Sequence, residues 1–147
     1  MSRSRNTSRW MVGDLEVRSG FEQRVGIRLL ELGVPFEYER QSFKWLEKLS
    51  RAECRQCGAK EAYVERSYTP DFFLANGTII EVKGNFTSKD RKIAAAMKEQ
   101  HPDINIVLLF DKDNWLNRNQ KNRYSDWCKT KGITCAVGDI PEEWLHG

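Results

Sequence analysis

The chain has 147 residues, 39% hydrophobic and 11% aromatic, which is about the length of one domain and enough for a buried core. We expect neither a membrane span nor a secretory signal, because no apolar run reaches the required length and the basic N-terminus is not followed by an apolar stretch. The net charge of +3 does not by itself establish nucleic-acid binding. Four cysteines without a tight spacing do not suggest a secreted disulfide scaffold.

Residues 1–15 are predicted to form a flexible arm, which is basic because three arginines precede its first acidic residue. A helix is predicted next, over 20–32, because apolar residues recur along one stripe. Ser19 and Glu22 have the spacing of a capping box, in which the carboxylate binds a free backbone amide. That structural role would by itself explain Glu22.

A charged segment at about 41–66 contains two cysteines, Cys54 and Cys57, followed by glycine. Two cysteines at this spacing form half of a structural zinc site, which needs two more ligands. Three possibilities remain open for the missing ligands. Cys128 and Cys135 of the same chain could supply them, or Cys54 and Cys57 of a second chain could do so. Alternatively, no zinc binds and the thiols stay free in a reducing compartment.

A β-hairpin is predicted where two apolar runs flank Asn76 and Gly77. The first run follows Asp71, and the second carries Glu81 and Lys83, which are two residues apart and therefore leave the same face of the strand. A two-residue turn would place Asp71 on the opposite face. A three-residue loop ending in a left-handed Gly77 instead pairs Asp71 with Glu81, and we predict this register.

Asp71, Glu81 and Lys83 have the order and spacing of a divalent-metal-dependent nuclease centre. Two neighbouring carboxylates repel each other unless a cation lies between them or one binds a proton. Hard oxygen ligands suit Mg²⁺ or Mn²⁺, and Lys83 can then orient or help deprotonate a water, or offset charge in the transition state. The alternative is a solvated strand face, but the surrounding residues are too apolar for an ordinary one.

Strands are expected at 36–40, 62–67, 104–110 and 133–137, and helices from a cap at Ser88 to about 100 and over 124–131. The tryptophans near the C-terminus, Trp115, Trp127 and Trp144, are predicted to pack. Basic side chains at the start of the helix after the hairpin are expected to contact DNA: Lys89, Arg91 and Lys92. A second basic stretch comprises Lys112, Arg118, Lys121 and Arg123.

Taken together, ordered segments over most of the chain resemble the bacteriophage endonuclease I family, whose members resolve four-way DNA junctions. Arg-Ser-Gly-Phe-Glu at 18–22, for example, is similar to the family's Arg-Ser-Gly-Leu-Glu. The other similar segments are 34–39, 68–72, 76–84, 90–92, 99–102, 124–127 and 140–144. The clearest departure is the longer, cysteine-containing insert at about 41–66 within a single nuclease domain at 16–147.

The resemblance implies an α/β fold of the restriction-endonuclease type, with a mixed β-sheet flanked by helices, in a domain-swapped homodimer. It implies an endodeoxyribonuclease of the crossover-junction type, which resolves Holliday and other branched junctions by paired nicks in DNA recombination, in the cytoplasm of a bacterial host. The helix carboxylate and the hairpin residues would come from different subunits. By position, the catalytic set is Glu22, Asp71, Glu81 and Lys83, with Asp71 and Glu81 as Mg²⁺ or Mn²⁺ ligands.

Two alternatives remain open. One is a related nuclease directed to mismatches, nicks or a particular sequence. The other is a non-catalytic nucleic-acid-binding module, in which the cysteine motif matters and the carboxylates are structural. The joint presence of three acids and a lysine argues against the second, because a binding module gains little from acids where phosphates must approach.

Overall fold

The computed structural model describes residues 9–49 and 62–146, so Cys54 and Cys57 lie outside the described residues. None of the described helices is long and apolar enough to cross a membrane. The strands are β1 (Trp10–Val12), β2 (Leu15–Val17), β3 (Phe36–Tyr38), β4 (Phe43–Leu49), β5 (Ala62–Tyr68), β6 (Phe72–Leu74), β7 (Thr78–Lys83), β8 (Asn105–Phe110) and β9 (Cys135–Val137). The helices are α1 (Gly20–Glu31), α2 (Ser88–Gln100) and α3 (Tyr124–Lys131), followed by a short 3-10 helix (Glu142–Trp144).

A five-stranded mixed sheet in the order β3-β6-β7-β8-β9 forms the centre of the fold. Strands β3, β6 and β7 pair antiparallel, whereas β7, β8 and β9 pair parallel. Strand β7 therefore joins the antiparallel part of the sheet to the parallel part, since it pairs with β6 on one side and with β8 on the other. This arrangement confirms the predicted mixed sheet flanked by helices.

The β6–β7 hairpin has the predicted register. Phe72 pairs with Ile80 and Phe73 with Ile79, so continuing the ladder places Asp71 opposite Glu81. Gly77 has a φ of 91°, a left-handed conformation that favours glycine. The three-residue loop is thus confirmed, and it sets the two carboxylates face to face.

Two hydrophobic clusters lie on the two faces of the sheet. Helix α1 contributes Phe21, Val25 and Leu29 to one cluster, together with sheet residues and Trp144 near the C-terminus. The second cluster contains Phe86, Phe110, Tyr124 and Cys128, with Trp127 packed against it. The predicted packing of Trp127 and Trp144 is confirmed. Because α1 packs on this core against β7, the carboxylate of Glu22 in its first turn lies close to β7.

Two regions differ from the sequence prediction. Residues 10–17 form the β1–β2 ribbon with Val12 and Val17 buried, so the flexible arm predicted over 1–15 is too long. The expected insert at 41–66 includes strand β4, which pairs with β5 over seven residues. Gln100 of α2 binds both the N–H and the carbonyl of Leu46 at 2.7 and 2.9 Å, so its amide satisfies the free edge of β4.

Candidate active site

Three carboxylates from different elements meet beside strand β7. Asp71 precedes β6, Glu81 lies within β7, and Glu22 lies in the first turn of α1. All three are buried, with 5%, 5% and 7% of their surface exposed. Grouped buried acids are rare because each charge loses its hydration, so a structural role alone does not explain them.

Hydrogen bonds hold each carboxylate in place. The N–H of Val82 donates to Asp71 at 2.8 Å, and the Tyr68 hydroxyl donates to Glu81. The Glu22 carboxylate accepts a hydrogen bond from the Arg18 N–H at 2.8 Å and one from the Tyr38 hydroxyl at 3.3 Å. The predicted capping interaction therefore exists, but the amide it satisfies belongs to Arg18 rather than to Ser19.

The carboxylates of the cluster are buried close together, which makes their ionised forms unfavourable. Burial, the charge of Glu81 and a hydrogen bond with Glu22 raise the pKa of Asp71 to about 10. Burial also raises the pKa of Glu81, against the opposing effects of Lys83 and Tyr68. Without a cation, the cluster is thus driven to take up a proton at neutral pH.

Lys83 lies between two carboxylates at the end of β7. Its ammonium nitrogen is 3.6 Å from Glu81 and 3.2 Å from Asp90. Burial lowers the pKa of Lys83, but Glu81 and Asp90 more than offset this, and the pKa is raised above its ordinary value. Lys83 is therefore a cation at neutral pH, which suits charge stabilisation better than proton removal from water.

The donor set fits a hard divalent cation. Asp71 and Glu81 offer carboxylate oxygens across the ladder, and a cation between them would relieve their repulsion. Within the described part of the chain, no group of three or more His, Cys, Asp or Glu side chains is arranged to hold a metal ion by itself. Two carboxylates are nevertheless a common set for Mg²⁺, which completes its coordination with waters and substrate phosphate.

A cavity of about 240 Å³ opens beside these residues, beneath α2. Tyr68, Glu81 and Lys83 line it at one end, and Ile93 and Met97 of α2 line its apolar part. Glu81 and Lys83 are thus reached from a concave surface, as expected for a site that admits a substrate group.

The chain is similar to a known protein family and to two phage proteins. The family model of phage endonuclease I matches residues 4–147. The chain belongs to the phage endonuclease I family. It is 33% identical over 129 residues to endonuclease I of Escherichia phage T7, covering 87% of this chain and 77% of that protein. It is 34% identical over 125 residues to endodeoxyribonuclease 1 of Enterobacteria phage T3, covering 84% and 73%.

The structure brings together all four residues of the catalytic set carried over from the phage endonuclease I family, and it does so within one chain. The three residues expected to contact DNA differ in the contacts that they already make within the protein. Lys89 is exposed, whereas Lys92 forms a 2.7 Å ion pair with Glu47 and Arg91 donates to the Phe86 carbonyl at 2.7 Å. Of the three, Lys89 is the most available for a phosphate.

The cysteines that the described residues include are core side chains. Cys128 of α3 is fully buried, and Cys135 of β9 packs against the same hydrophobic cluster. Both thiols are free of disulfides. This placement on a helix and the following strand was predicted. Zinc at Cys54 and Cys57 remains a prediction, since those residues lie outside the described ranges.

Sequence reasoning missed two residues that hold Glu81 and Lys83 in place. Tyr68 ends β5 and holds Glu81, and Asp90 binds Lys83 while forming a capping box with Thr87 at the start of α2. The spacing of Thr87 and Asp90 was a usable signal, but the neighbouring Ser88 was predicted as the cap. For Tyr68, nothing in the local pattern separates this role from ordinary packing.

Glu22 is expected to matter for cleavage as well as for the cap. We expect Glu22→Gln to lower the cleavage rate at least about tenfold, because the carboxylate faces Asp71 at the reacting centre. Ser19→Ala is the matched control, since Ser19 accepts the Glu22 N–H at 3.1 Å and has no part in the cluster. Ser19→Ala should lose about 1 kcal/mol of stability, whereas the glutamine keeps an acceptor for the Arg18 N–H and should cost less. If Glu22→Gln and Ser19→Ala cleaved at equal rates, Glu22 would have only a structural role.

Proposed function

We propose that this protein is a structure-selective, divalent-metal-dependent DNA endonuclease that resolves four-way and other branched junctions by paired nicks during recombination. DNA cleavage is the coarser part of the proposal, and the names of the T7 and T3 relatives support it. The observation that carries it is the buried cluster of Glu22, Asp71 and Glu81 beside Lys83.

Asp71 and Glu81 are the residues that would hold Mg²⁺ or Mn²⁺. The bound ion would supply Lewis acidity at the scissile phosphate. The Val82 N–H keeps Asp71 in place, and the Tyr68 hydroxyl keeps Glu81 in place. With both carboxylates fixed, little reorganisation is needed when substrate arrives.

Lys83 contributes positive charge as negative charge grows on the phosphate oxygens. Asp90 and Glu81 fix its position, because they contact the ammonium from two sides. Glu22 completes the cluster from α1 and is positioned by the Arg18 N–H. These assignments give every buried charged group around β7 a role in phosphodiester hydrolysis.

Paired nicks in a symmetric junction require two active sites, which a homodimer supplies. Each chain already holds Glu22 beside Asp71. If two subunits exchanged α1, Glu22 of each subunit would therefore contact Asp71 of the other subunit in the same way. Sites shared between subunits would have the same composition as the site formed by one chain.

The test is cleavage of an end-labelled four-way junction beside a linear duplex of the same sequence, with Mg²⁺ present. We expect paired nicks near the branch point and little cutting of the linear duplex. Equal cutting of both substrates would favour a nuclease directed to nicks, mismatches or sequence. Tight junction binding without cutting would favour the non-catalytic module.

A further inference from the structure

The segment between β8 and α3 forms an ordered hairpin, residues 114–123, here called the basic hairpin. The Leu116 N–H donates to the Asn122 carbonyl at 2.8 Å, and Trp115 pairs with Arg123 in an antiparallel bridge. The Tyr124 N–H closes the base by donating to the Asn114 carbonyl at 3.0 Å. A segment with these cross-links presents its side chains in fixed positions.

The basic hairpin carries three cations, Arg118, Lys121 and Arg123, and no acid. Arg123 stacks on Trp115 at 3.9 Å and donates to the Asp113 carbonyl. Arg118 and Lys121 are exposed and form no ion pair with any described residue. The cations of α1 differ, because Arg24 and Arg28 both pair with acids. The hairpin therefore presents uncompensated positive charge.

Two further features of the hairpin are unfavourable for the isolated fold. Gln120 has a φ of 52°, a left-handed conformation that costs a non-glycine residue on the order of 1 kcal/mol. Trp115, which was predicted to pack, is 39% exposed and packs only beneath the Arg123 guanidinium among the contacts of the described residues. Local strain of this kind persists mainly at functional positions, and an exposed aromatic side chain beside it is consistent with a binding element.

The residues that flank the hairpin are tied to the end of β7, the strand that carries Glu81 and Lys83. The Asp111 N–H donates to the Lys83 carbonyl at 3.3 Å, and the Tyr124 hydroxyl donates to Asn85 at 3.1 Å. The hairpin therefore begins and ends beside the catalytic strand.

We propose that the basic hairpin binds the phosphate backbone of a DNA arm close to the cleaved phosphate, through Arg118 and Lys121. The proposal rests on the proposed function, since it extends the same substrate beyond the catalytic centre. The contact is to backbone phosphates, so it contributes affinity and orientation and no sequence preference.

The test is the salt dependence of junction binding, measured by fluorescence anisotropy in EDTA so that no cutting occurs. The double variant Arg118→Ala, Lys121→Ala should bind at least tenfold more weakly at about 100 mM KCl. Its plot of log affinity against log salt should be shallower by about 1.8, since each phosphate contact contributes about 0.9. The matched control is Lys129→Ala, Lys131→Ala, which removes the same charge from the other end of α3.

A second measurement locates the contact on the DNA. Neutral methylphosphonates are placed in turn at each phosphate on both sides of the nick, and at least one position should weaken binding by the wild type and not by the double variant. A double variant with the wild-type salt slope, or a loss equal to that of the control, overturns the hairpin contact. Wild-type protein that binds the junction without Mg²⁺-dependent cutting overturns the proposed function and leaves the hairpin result standing.

Discussion

Lys83→Met is expected to lower the rate of DNA cleavage by about a hundred- to a thousandfold, while junction affinity changes little. The substitution removes the cation that faces the developing phosphate charge, and loss of one such group costs on the order of 3–4 kcal/mol in a preorganised site. The measurement is the single-turnover rate with protein in excess over junction, because this rate isolates the chemical step from binding.

Lys92→Met is the matched control for Lys83→Met. Lys92 is on α2, and its 2.7 Å partner Glu47 belongs to the β4–β5 ribbon rather than to the carboxylate cluster. The control should change affinity or salt dependence and leave the single-turnover rate within about twofold. Equal rate losses for the two lysines would show that Lys83 acts through general charge and not at the reacting phosphate.

The second large effect concerns stability rather than activity. Asp71→Asn should raise the melting temperature of the metal-free protein by about 5–10 °C, although it abolishes cleavage. Burial and the neighbouring acids raise the pKa of Asp71 from 3.8 to about 10. Asparagine has no charge to desolvate and can still accept the Val82 N–H, so it removes a destabilising feature of the active site.

The pH dependence of this effect has a definite sign. Between about pH 4 and pH 10 the folded wild type binds a proton at Asp71 that the unfolded chain releases, so its stability falls as pH rises. The stability advantage of Asp71→Asn should therefore grow from about pH 5 to pH 9 in EDTA. Thermal melts across this range measure it. Asp103→Asn, at an exposed acid, is the control, and an advantage that stays constant with pH would contradict the explanation.

The catalytic hairpin was predictable because its register depends on local rules. Only a loop ending in Gly77 puts Asp71 and Glu81 on the same face, and strand alternation then fixes Lys83 beside them. The boundaries of α3 were also recovered, since Gly132 ends the helix in a left-handed conformation. These features need only a few neighbouring residues.

Features that depend on distant residues were not predictable. Strand β4 contains three charged residues among seven, and its pairing with β5 depends on residues about 20 positions away. The roles of Tyr68 and Asp90 depend on which side chains the fold brings beside β7. Trp115 was predicted to pack, but the sequence did not indicate that its partner is the Arg123 guanidinium at the surface.

The most direct test of a metal-dependent nuclease centre in this fold is junction cleavage by the wild type and by Glu81→Gln, each with Mg²⁺ and with EDTA. Glutamine keeps the size of the side chain and an acceptor for the Tyr68 hydroxyl. We predict paired nicks by the wild type in Mg²⁺, and none in EDTA or with Glu81→Gln. Cleavage by Glu81→Gln at the wild-type rate, or by the wild type in EDTA, would contradict the assignment of the carboxylate cluster as the catalytic centre.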